Sequence, residues 1–97
     1  MKRAAVIDVL RHCRDELRPL GVSSLYLYGS TARDEAGPDS DVDVFVDPDY
    51  ERFGFVELIR LEKMLMDALG RKVDVTTRDG LHPMLKPEIE HDAIKVL

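Results

Sequence analysis

One cysteine in 97 residues, Cys13, excludes an internal disulfide, so the fold must rest on a buried apolar core and a reducing cytoplasm is the expected setting. No apolar run approaches the roughly 20 residues that span a bilayer, and no signal peptide, repeat or low-complexity tract is visible. Basic residues are in deficit: 14 Lys and Arg against 19 Asp and Glu leave a net charge of -5. That balance offers no electrostatic attraction to a long nucleic acid or an anionic membrane. His12, His82 and His91 lack metal-ligand spacing and are read as surface or helix-side residues. What remains, 44% hydrophobic and 34% charged, is the composition of a soluble globular chain rather than a disordered one. The length suits one domain, residues 1–97, without room for a second.

Helical and extended periods alternate along the chain. Val6, Val9, Leu10, Cys13, Leu17 and Leu20 recur at three and four residues, which predicts an amphipathic helix over residues 3–18, stopped by Pro19 and Gly21. Val22 to Tyr28 reads as a first strand, Ser30 to about Ala36 as a short helix ended by Gly37-Pro38, and Asp41 to Val46 as a second strand before a turn at Asp47-Pro48-Asp49. A longer helix from about Phe53 to Leu69 is expected to bury Phe55, Leu58, Ile59, Leu61, Leu65 and Leu69 and to stop at Gly70, with Met64 and Met66 filling core or partner-facing gaps. Lys72 to Thr77 is a third strand, Pro87 opens a last short helix, and Ile94 to Leu97 is an optional brief strand. Tyr26 and Tyr28 alternate with Leu25 and Leu27 and are read as packing residues.

The chemistry concentrates in YGSTARDEAGPDSDVDVFVD. Gly29-Ser30 closes the first strand, and ten residues later Asp41 and Asp43 open the second. Side chains at i and i+2 of a strand share a face, with β-carbons roughly 6 to 7 Å apart, so the two carboxylates can converge on one or two hard cations. Gly29 lets backbone approach a phosphate, and the helix start at Ser30 offers free NH groups to an anion. Cation ligands facing an anion cradle suggest a nucleoside triphosphate.

For both motif halves to form one site, the first two strands must run antiparallel, while the third, reached through a helix of crossover length, suits a parallel neighbour of the second. Asp74 alternates with Val73 and Val75, so valines in the core bring Asp74 out beside Asp41 and Asp43. There it completes the metal shell and helps remove a proton from an attacking hydroxyl, or else it is a surface aspartate on a charged strand. Eight acids lie between Asp34 and Glu51 without a Lys or Arg; Asp34, Glu35, Asp47, Asp49 and Glu51 read as a solvated acidic surface. The whole is an α/β fold of order αβαβαβα, a three-stranded mixed sheet flanked by helices.

GSTARDEAGPDSDVDVFV resembles the G-S-x10-D-x-D signature of the DNA polymerase β-type nucleotidyltransferase superfamily, and the short chain resembles its minimal nucleotidyltransferase (MNT) branch, from the leading helix through VDVTT. The resemblance implies the nucleotidyltransferase fold, Asp41 and Asp43 as magnesium ligands, Asp74 as third catalytic carboxylate, and Gly29-Ser30 as the triphosphate-binding turn. Ser40, before the aspartate pair, and Arg33, in the G-S-x-A-R stretch, belong to the same pattern. Arg33 neutralises phosphate, pins an aspartate or makes a structural salt bridge. Asp34 stands where many relatives have glycine.

The resemblance also implies Mg2+, two ions, with ATP as substrate, and an acceptor supplied by another molecule. In this branch that molecule is a small helical HEPN protein, often an RNase toxin, which the MNT antitoxin neutralises by transferring AMP to a tyrosine. An antitoxin that acts by binding alone and a transferase modifying a small hydroxylated metabolite or drug are the alternatives.

Overall fold

The computed structural model describes residues 1–97. Helices α1 (Arg3–His12) and α2 (Arg14–Leu17) precede strand β1 (Val22–Tyr28), a single helical turn α3 (Gly29–Ala32) and strand β2 (Val42–Pro48). Helix α4 (Phe55–Leu69), strand β3 (Val73–Thr77), helix α5 (Lys86–Asp92) and the two-residue strand β4 (Ile94–Lys95) complete the chain. The sheet is ordered β3-β2-β1-β4. β1 is antiparallel to β2 and to β4, whereas β2 and β3 are parallel across the α4 crossover. The α/β fold with a mixed sheet is therefore as the sequence indicates, the optional C-terminal strand being its fourth member.

Alternation along the strands divides the sheet into two faces. Leu25, Leu27, Val42, Val44, Val46, Val73 and Val75 are buried in one cluster with Val6, Leu10 and Leu17 of the leading helices and Leu61, Leu65 and Leu69 of α4. The other face carries Tyr26, Tyr28, Asp43, Phe45 and Asp74, which the period of two places opposite those aliphatic residues. α4 starts with the Glu57 carboxylate accepting the Gly54 N–H at 2.9 Å and stops at Gly70, whose φ of +67° ends the helix in the left-handed region.

Three expected boundaries shift, and two residues expected in the core lie outside it. The leading helix breaks at Cys13, whose N–H bonds to Leu10 O in a tightened turn. The helix expected over residues 30–36 is one turn only, because Asp34 takes φ +58°. β2 begins at Val42 and continues to Pro48, which pairs with Val22 at the end of the ladder, where a missing N–H is tolerated. Phe55 and Ile59, expected in the core, are 75% and 53% exposed. At about 100° per residue, Leu58, Leu61, Leu65 and Leu69 already fill the inward stripe of α4, and Phe55 and Ile59 fall to its side.

Leu61→Ala should therefore destabilise the protein by ~2–5 kcal/mol through a core cavity, whereas Phe55→Ala should change stability by no more than ~0.5 kcal/mol. Urea unfolding of the two variants beside the parent checks this, and comparable losses in both would place Phe55 in the core after all.

Candidate active site

The site forms where β1 ends and β2 begins. Tyr28 pairs with Asp43 across the antiparallel ladder, and Asp43 pairs with Asp74 across the parallel one, so the three side chains stand in a row on the face away from the aliphatic core. Immediately after Tyr28 the chain turns through Gly29 at φ +73°. A β-carbon there would collide with Asp43 Oδ2. Gly29 is thus required twice, by its dihedral angle and by the carboxylate pressed against its α-carbon.

Burial and charge set the state of Asp43. It is half-buried, and desolvation, then the nearby charges of Asp74 and Asp41, push its pKa above the usual carboxylate range; Arg33 pulls the other way. The same surroundings raise the Tyr28 phenol to about 12, through burial first and then Asp43 and Asp74. Asp41 and Asp74 are exposed, and Asp41 lies just before the first residue of β2, with Lys72 Nζ 3.9 Å from its carboxylate. The carboxylates form an open row rather than a closed cage of three ligands. Carboxylate oxygens are hard donors, the type that hard divalent cations take.

The other expected residues spread around this row. Ser30 lies inside the single turn α3, which has no side-chain cap, and its carbonyl accepts the Glu35 N–H at 2.8 Å. The turn starts at Gly29, one residue before the expected helix start, so Ser30 stands with its N–H and hydroxyl in the first turn beside Gly29. Arg33 is exposed and its Nε donates to Glu35 Oε2 at 3.2 Å, yet its charge is felt at Asp43. Ser40 Oγ accepts the Gly37 N–H at 2.9 Å and so closes the loop before β2. Asp34 accepts the Arg3 N–H at 3.0 Å, which supports its left-handed backbone.

Two contributors were not found in the sequence. Tyr28 packs against Phe45 as its alternation indicates, and its parity with Asp43 across the turn is the signal that also places it in the row. α5 contributes Leu85 at its cap, Glu88, Ile89 and Asp92 to a pocket of about 190 Å3 shared with Tyr28, Gly29 and Arg33. No spacing motif announces that contact. A larger cleft of about 590 Å3, between α2 and α4 at Cys13, Glu16 and Met64, contains none of the row.

Residues 7–96 match the family model described as a nucleotidyltransferase domain. A Methanocaldococcus jannaschii protein, MJ1217, provisionally named a protein adenylyltransferase, is 42% identical over 76 residues, covering 77% of this chain and 76% of its own. Protein adenylyltransferase MntA of Thermococcus cleftensis is 33% identical over 91 residues, covering 92% of this chain and 90% of its own. A solved structure, provisionally described as a minimal nucleotidyltransferase, is similar with TM-score 0.75 at 33% identity, over 97% of this chain and 95% of that one. A chain from the complex of tri-AMPylated Shewanella oneidensis HEPN toxin with MNT antitoxin has TM-score 0.69 at 16% identity, over 98% of this chain and 71% of that one, a likeness of fold.

Because the folded pKa of Asp43 is raised, the native protein holds its proton to higher pH than the unfolded chain does. Stability therefore falls as pH rises from the ordinary aspartate range through the folded pKa, and the deficit is complete above it. Asp43→Asn should melt higher than the parent at pH 7, with the gap closing as pH falls toward the ordinary aspartate pKa. Gly29→Ala should cost at least ~1–2 kcal/mol from its left-handed backbone alone. Thermal melts across pH check both, and a lower melting temperature for Asp43→Asn at neutral pH would mean that the carboxylate is stabilising where it stands.

Proposed function

This chain belongs to the nucleotidyltransferase domain family, in its minimal branch, and we propose that it transfers AMP from ATP to a tyrosine of a partner HEPN-type RNase toxin, acting as its antitoxin in the cytoplasm. The observation that carries the reading is the register Tyr28–Asp43–Asp74, which gathers carboxylates beside the glycine turn that only a small backbone can make. The names of the relatives support protein as the acceptor class. The structural neighbours support a helical toxin as the acceptor itself. With an excess of acids over bases, this chain also complements a basic, RNA-binding partner.

Asp41 and Asp43, with Asp74, would hold two Mg2+ ions. Such ions, when bound, neutralise triphosphate charge and act as Lewis acids. The remaining work falls to the chain's own groups. Gly29 and the Ser30 hydroxyl seat the phosphates, Arg33 adds positive charge beside them, and Ser40 keeps the loop that leads into Asp41 in shape. Asp74, exposed at the open side of the row, accepts the phenol proton as the tyrosine oxygen bonds to the α-phosphorus and pyrophosphate leaves. Its exposure suits an acceptor arriving from another molecule.

Asp74→Asn should reduce transfer by ~100-fold or more while retaining most of its affinity for ATP with magnesium. Asp41→Asn and Asp43→Asn should lose the thermal stabilisation that ATP with magnesium gives the parent. With the helical toxin added, intact-mass spectrometry should show an adduct of AMP mass and peptide mapping should place it on a tyrosine. A toxin inhibited stoichiometrically but left unmodified would favour the binding-only antitoxin, and modification of a small alcohol instead would favour the metabolite transferase.

A further inference from the structure

α5 forms one wall of the pocket beside Gly29, yet none of its seven residues is buried. A helix of that length has no stability of its own in water, and with Ile89 only half-buried hydrophobic packing holds it weakly. Its C-terminus is tethered through β4, which begins at Ile94 and pairs with β1, and the side-chain tie along its length is ionic. Arg78, in the turn after β3, lies with its guanidinium carbon 4.8 Å from the Tyr26 ring centroid and 4.9 Å from that of Phe45. Nε and Nη2 donate to the two Asp47 oxygens at 2.7 and 2.9 Å, while Nη1 donates to Glu90 of α5. Asp47 is accordingly held below the usual carboxylate range, chiefly by its hydrogen bond from Arg78.

The two sides of this clamp differ in rigidity. Tyr26, Phe45 and Asp47 belong to the two central strands, with Phe45 fully buried and stacked 4.8 Å from Tyr26. On the other side α5 offers Glu90. The second ionic tie near this helix, Lys86 to Asp79, spans 4.0 Å with Asp79 largely exposed, and contributes little. A planar fork can hold two carboxylates and stack on two rings at once; an ammonium cannot.

We infer that Arg78 is a positioning residue of the transfer reaction: by docking α5 onto the sheet through Glu90, it fixes the wall against which the nucleotide is seated beside Gly29. The inference rests on the function proposed above, in that it takes the pocket at Gly29 to receive the nucleotide. Asp47, placed among the solvated acids by sequence, becomes the anchor of the clamp.

Glu90→Ala cuts only the arm to α5 and keeps full helix propensity, and Glu90→Gln weakens the same bond without removing it. Arg78→Lys keeps the charge but loses the fork. Hydrogen exchange should show α5 amide protection falling by about tenfold in Glu90→Ala, less in Glu90→Gln, with the central strands unchanged. In the same order the KM for ATP should rise, by about tenfold for Glu90→Ala, with kcat within about twofold; Arg78→Lys should behave like Glu90→Ala. Unchanged α5 protection in both Glu90→Ala and Arg78→Lys overturns the clamp. Loosened α5 with an unchanged KM overturns its role in seating the nucleotide. A parent protein that neither binds nor transfers nucleotide overturns the functional reading instead, and hydrogen exchange still decides whether the clamp exists.

Discussion

Everything at the candidate site depends on the register of β2 between its two neighbours. One pairing with β1 and one with β3 put Tyr28, Asp43 and Asp74 in line, and the same two pairings put Val42, Val44 and Val46 into the core. A slip of one residue would exchange the faces, exposing the valines and burying the carboxylates, at a cost no small domain can bear. Hydrophobic burial on one face therefore enforces the assembly of like charges on the other. Repulsion within the row is tolerated because the core beneath it outweighs the electrostatic cost.

The opposite face has its own division of labour. At one end the row of carboxylates keeps Asp43 reluctant to ionise; at the other Asp47 is ionised readily beside Arg78. Both are half-buried aspartates four residues apart on one strand; what separates them is desolvation and anionic neighbours at Asp43 against a directly hydrogen-bonded Arg78 at Asp47. Between the two ends lie Tyr26, Phe45 and Tyr28, in ring contact at 4.8 and 5.7 Å, so the two charged ends are joined by a continuous aromatic floor.

How much of this could be read from the chain follows from the range of each interaction. The strand order and senses were legible because Gly29-Ser30 and Asp41/Asp43 must meet and α4 is long enough to cross over. The aliphatic core was legible from alternation. What failed was local detail governed by distant contacts: Phe55 and Ile59 have helical periodicity, but Leu58, Leu61, Leu65 and Leu69 take the inward stripe. The Arg78 to Asp47 pair spans 31 residues and the pocket joins Tyr28 with Asp92, so neither leaves a spacing signature. Tyr28 was legible in principle, since it shares its parity with Tyr26 opposite Leu25 and Leu27.

The carboxylate row is also graded in stiffness. Asp43 belongs to a strand hydrogen-bonded on both sides, Asp74 to the outermost strand bonded on one side, and Asp41 lies just beyond the end of the ladder. Free energies of local opening rise with the number of ladders that must break, so backbone compliance increases from Asp43 to Asp74 and Asp41. A ligand settling among them would meet one carboxylate held from both sides and two on more compliant backbone.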